Sequence, residues 1–99
     1  MSTLQIELEE TESRGRFTAS LDGSPTESEL TFSKAGTTNV IADHTYVPDH
    51  LRGQGIAEAL VERLLEEARS RSWKVVPLCP YVKSYALQHR DAVSDVVQF

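Results

Sequence analysis

A change of hydrophobic period within one short stretch constrains this chain more than any other feature. From His44 to Leu60 (HTYVPDHLRGQGIAEAL) a β-like run breaks at Pro48 and restarts as an amphipathic helix behind Arg52, Gly53 and Gly55. Glycine has no side chain where a ligand's oxygens must approach, and the first N–H groups of a helix have no intrahelical acceptor. The turn is therefore a candidate anion site of the kind that cradles phosphate. Side chains added at Gly53 or Gly55 are expected to crowd either the ligand or the turn.

Upstream of the break the period is two. Leu4, Ile6 and Leu8 alternate with Gln5, Glu7 and Glu9, and residues 11–15 read as a turn. Phe17, Ala19 and Leu21 alternate again up to Asp22-Gly23, a strong hairpin signal. A third run over 27–34 places Leu30 and Phe32 on one face, and a fourth, rich in β-branched residues, extends from Thr38 to Val47. Short turns between four such runs imply an antiparallel meander.

Downstream, Ile56, Ala57, Leu60, Val61, Leu64, Leu65 and Ala68 draw an apolar stripe along one helix face that ends near 70–72. The apolar run 73–79 is then a buried strand, with Trp73 packing where helix and strand meet. The crossover makes that strand parallel to the one ending at Val47. Where such a pair separates at its C-terminal ends, a crevice opens. Pro80 suits the first turn of a second helix to about His89, and residues 91–99 form either a short strand or a short helix. The expected architecture is α+β: a four-strand antiparallel meander followed by helix, parallel strand and second helix. It forms one domain over 1–99 with its core at about 4–90.

Ninety-nine residues, 39% of them hydrophobic, build one core. The net charge of −5 argues against a broad nucleic-acid surface, which needs clustered Lys and Arg. No apolar run is long enough to cross a bilayer, and Met1 to Glu7 lacks the basic start and apolar middle of a secretory signal, so the expected location is the cytoplasm. Cys79 has no partner for an intramolecular disulfide, and the three histidines lack metal-ligand spacing, so no metal site is expected.

The segment Arg52 to Ala57 (RGQGIA) resembles the acetyl-CoA signature of the GNAT superfamily of N-acetyltransferases, matching at Arg52, Gly55 and Ala57. It occupies the family's place, after the fourth strand and before a helix and parallel strand. More narrowly, His44 to Val47, Leu51 to Ala57 and Val76 to Val82, with its Cys79-Pro80-Tyr81, resemble the minimal GNAT-like proteins that lack the usual N-terminal helices. The resemblance implies acetyl-CoA as acyl donor, bound by Tyr46, Val47, Arg52, Gly53, Gln54, Gly55, Ile56 and Ala57. The pyrophosphate would lie on the turn and the pantetheine beside Tyr46 and Val47.

It further implies transfer of acetyl to an amine of a small molecule or peptide. The other reading is a non-catalytic acyl-CoA-binding or interaction module that keeps only the cradle. Cys79, before a helix N-terminus, is either a nucleophile that takes the acetyl group or a small buried residue. In direct transfer His44 is the candidate base and Tyr85 the candidate acid, with Tyr81 the alternative acid; structural roles stand beside each of these. His50 reads as an exposed loop residue. The expected state is a monomer, or a homodimer that completes the acceptor groove, with no nucleic-acid or membrane partner.

Overall fold

The structure, a computed structural model, describes residues 3–99. Strands β1 (Leu4–Glu10), β2 (Arg14–Leu21), β3 (Ser24–Ala35) and β4 (Asn39–Tyr46) form the antiparallel meander, and β5 (Lys74–Pro77) joins β4 in parallel. The sheet order is β1-β2-β3-β4-β5. Helix α1 (Ile56–Ser70) makes the crossover, α2 (Pro80–Gln88) follows β5, and a short α3 (Arg90–Val93) begins the tail. The α+β architecture expected from the sequence is the one observed.

Three local features have physical causes. Strand β2 begins at Arg14, inside the expected turn, because Gly15 pairs with Glu10 on one side and Phe32 on the other. Helix α1 starts at Ile56, since Gly53 and Gly55 adopt left-handed φ values of 85° and 79°, outside helical geometry. The tail, open in the sequence, forms α3 and then a single parallel bridge from Val97 to Val75.

The core lies on one face of the sheet. Phe17, Leu30, Phe32 and Val40 meet Leu60, Val61 and Leu64 of α1, with Val82 of α2 and Val96 of the tail closing the same cluster. The alternate positions, among them Arg16, Thr18, Glu29 and Thr31, carry polar side chains to the opposite face.

Strand β4 carries the irregularity that matters most. Thr31 pairs with His44 whereas Phe32 pairs with Ala42, so Asp43 is an extra residue on β4. One inserted residue reverses the alternation. Val40 and Ala42 are buried, but beyond the bulge it is Thr45 and Val47 that turn inward, leaving His44 and Tyr46 exposed on the other side.

Pairing between β4 and β5 stops at Ala42 and Pro77. Pro77 has no N–H to extend the ladder, and the Leu78 N–H turns back to the Val76 carbonyl at 3.0 Å. A last bond, from the Cys79 N–H to the Ala42 carbonyl at 2.8 Å, closes the pair. Asp43 to Tyr46 then continue with no β5 residue opposite, so the two strands part at their C-terminal ends.

Candidate functional site

The turn into α1 is built from tight local bonds. The Leu51 N–H donates to the Pro48 carbonyl at 2.9 Å and the Arg52 N–H to the Asp49 carbonyl at 3.2 Å, forming a single 3-10 turn over Asp49–Leu51. Backbone pairing resumes where the Ala59 N–H reaches the Gly55 carbonyl at 3.0 Å, and no side chain caps the helix. Between these points the amides from Gly53 to Glu58 meet no protein acceptor among the described residues. A Cβ built on Gly53 or Gly55 meets nothing within 4 Å, so the turn itself does not crowd a side chain; the demand for glycine comes from positive φ.

These amides border an open cleft of about 540 Å³ lined by Thr45, Val47, Arg52, Ile56, Ala57 and Tyr81, together with both glycines. Of the donor-binding candidates, Val47, Arg52, Gly53, Gly55, Ile56 and Ala57 lie along it. Gln54 does not line the cleft, and Tyr46 stands on the opposite face of β4, its ring parallel to that of His44 at 6.4 Å between centroids. Thr45 takes the place that unbroken alternation would give to its neighbours. The Arg52 Nε–H donates to the Val47 carbonyl at 3.3 Å, and the Asp49 carboxylate pairs with the same nitrogen at 3.3 Å.

Cys79 does not line the cleft but is buried behind Thr45, immediately before α2, its sulfur 3.5 Å from the Thr45 hydroxyl. The structure thus brings Cys79 together with Thr45 and not with His44, which projects to the other side of the sheet. Tyr85 is one helical turn beyond Tyr81, outside the cleft, in a groove of about 420 Å³ with Glu62, Glu66 and His89. Its hydroxyl donates to Glu62 at 3.4 Å and its ring lies 4.3 Å from that of His89. Burial, followed by the Glu58 and Glu62 carboxylates, raises the Tyr81 phenol above its ordinary pKa. Burial leads again at Tyr85, followed by the charge of Glu62. Both phenols are proton donors at neutral pH. Among the described residues no group of His, Cys, Asp and Glu is placed to hold a metal ion.

Comparison with known proteins bears on fold and turn together. Residues 16–96 match the family model described as GCN5-related N-acetyl-transferase. Protein NATD1 of Gallus gallus is 31% identical over 84 residues, which is 85% of this chain and 76% of that protein. A GCN5-like protein from Staphylococcus aureus, solved in solution, superposes with a TM-score of 0.64 at 26% identity, covering 93% of this chain and 87% of its own. The ribosomal-protein-alanine N-acetyltransferase of Brucella melitensis gives a TM-score of 0.63 at 28% identity; the match covers 84% of this chain but only 62% of that enzyme. No helix among the described residues is long and apolar enough to cross a membrane. With its five-strand mixed sheet, parting parallel strands and glycine turn, the chain belongs to the GCN5-related N-acetyltransferase family.

Proposed function

We propose that this chain takes acetyl-CoA as donor and transfers the acetyl group to an amine of a small molecule or peptide. The observation that carries the proposal is the run of unpaired amides from Gly53 to Glu58 along a cleft that leads back to Thr45. Converging N–H groups and the positive end of α1 suit a pyrophosphate, and Arg52 adds a cation. The edge of β4 left unpaired beyond Ala42 offers main-chain groups to the amides of a pantetheine arm. The residues present fit the donor.

The thioester supplies an activated acyl carbon. The amine nitrogen attacks that carbon, the carbon–sulfur bond breaks and the sulfur departs with its electron pair. Tyr81, in the cleft and kept protonated, gives its proton to that sulfur. His44, exposed on the other face of β4, accepts the proton that the amine loses as it arrives from that side. Proton exchange with water then resets both residues.

The 3.5 Å contact between Cys79 and Thr45 favours a second route. There the Cys79 sulfur attacks the acetyl carbonyl carbon, the bond from that carbon to the CoA sulfur breaks and the thiol proton passes to it, so that CoA leaves as the thiol. The amine nitrogen then attacks the carbonyl carbon of the Cys79 thioester, the carbon–sulfur bond breaks and the amine's proton restores the Cys79 thiol. Incubation with radiolabelled acetyl-CoA distinguishes the routes. Label held on the wild type and lost in Cys79→Ser and Cys79→Ala assigns the covalent route; turnover retained in Cys79→Ala without held label assigns direct transfer. Acetyl-CoA that shifts the amides of Gly53 to Ala57, with no transfer to a panel of polyamines and lysine peptides, leaves a binding module. Amides that do not shift overturn the donor reading.

A further inference from the structure

Arg52 makes its two contacts through one nitrogen. The Nε–H donates to the Val47 carbonyl at 3.3 Å, and the Asp49 carboxylate lies 3.3 Å from the same nitrogen as an ion pair. A hydrogen bond of that length is weak and readily given up. The two partners are of unequal importance. Asp49 is an exposed side chain, whereas Val47, the residue that follows β4, lines the cleft beyond the last β5 pair. In the free protein, therefore, the cation that would meet a pyrophosphate rests on a main-chain acceptor that an incoming arm would use. Pro48, the 3-10 turn and the Arg52 N–H bond to the Asp49 carbonyl fix the spacing of all three groups.

We infer that Arg52, Asp49 and the Val47 carbonyl form an interlock that selects thioesters carrying a phosphate over those that do not. The inference rests on the acetyl-CoA reading. A pyrophosphate draws Arg52 to itself by a stronger charge-assisted contact, and that movement uncovers the Val47 carbonyl for the arm. A phosphate-free thioester has to displace Arg52 with nothing to receive it. Asp49 acts as a positioning residue, holding Arg52 in the resting orientation.

The test titrates the full chain with acetyl-CoA and with S-acetylpantetheine, which has the same thioester and arm but no phosphate. Arg52→Ala is expected to weaken acetyl-CoA binding about tenfold, the loss of a charge-assisted contact. The same variant tightens S-acetylpantetheine by roughly twofold to fivefold, the scale of an exposed ion pair released. Asp49→Asn tightens acetyl-CoA by a similar roughly twofold to fivefold, and the gain disappears in the Arg52→Ala background. Opposite signs for the two probes, with that dependence on Arg52, support the interlock. An Arg52→Ala variant that weakens both probes, or leaves S-acetylpantetheine unchanged, overturns it while the donor reading stands. An Asp49→Asn gain that persists without Arg52 reflects plain charge repulsion and also overturns it. Wild type that binds neither probe overturns the interlock and the donor reading together.

Discussion

Two glycines in this chain are required for opposite reasons. At Gly15 an added Cβ would lie 2.1 Å from the ring of Phe32, which is itself fully buried, 5.6 Å from Phe17 and 5.7 Å from Trp73 between ring centroids. The ring cannot yield without disturbing both neighbours. Gly15→Ala should therefore cost about 1–3 kcal/mol of stability by overpacking, measured by urea unfolding. At Gly53 the space is empty, and Gly53→Ala should cost about 1–2 kcal/mol through its left-handed backbone alone. The two tyrosines divide in the same local way. If Tyr81 returns the proton to sulfur, Tyr81→Phe lowers kcat about 100-fold, while Tyr85→Phe, outside the cleft, leaves kcat within about twofold of wild type on the scale of a peripheral substitution. The glycine turn was legible in the sequence because positive-φ glycines announce themselves before a helix. Gly15 was not, since only the partner strand shows that a ring covers it.

Element ends are tied by charge as well as by packing. Glu10, at the close of β1, accepts from Arg71 at 2.8 Å and pairs with Lys34 at 2.7 Å, while Arg71 also reaches Glu67 and lies 4.0 Å above the Trp73 ring. One carboxylate thus joins β1, β3 and the end of α1. The Arg71 hydrogen bond first, and then that of Lys34, hold the Glu10 carboxyl below its ordinary pKa. A depressed folded-state value contributes stability above the unfolded pKa and loses it as pH falls through the folded one. Thermal melts of wild type and Glu10→Gln should accordingly differ at neutral pH and converge in acid; a gap independent of pH would exclude the linkage. The elements themselves were readable from their periods of two and of three to four. The bulge at Asp43 was not, because it interrupts no hydrophobic pattern in a β-branched run, yet it decides that Thr45 and not His44 enters the cleft.

For the molecule as a whole, the tail completes the core. Val93, Val96 and Val97 are buried, Arg69 donates to Asp95 and to the Ala92 carbonyl, and Val75 pairs with Val40 on one side and Val97 on the other. Val96→Ala should cost about 2 kcal/mol from the lost methyl groups, read as a lowered midpoint of thermal unfolding. The sequence left this segment undecided because its nine residues carry neither period long enough to register, and their place depends on a strand some twenty residues earlier. The bridge from Val97 has a consequence at the rim of the sheet. An exposed strand edge is a template onto which another chain can add itself, and here β5 is partly covered by the segment around Val97 of the same chain. The other rim, β1, bears the exposed carboxylates Glu7 and Glu9, whose like charges oppose the approach of a second copy in register. One border is shielded by backbone and the other by repulsion, so the sheet resists growing into a fibre from either side.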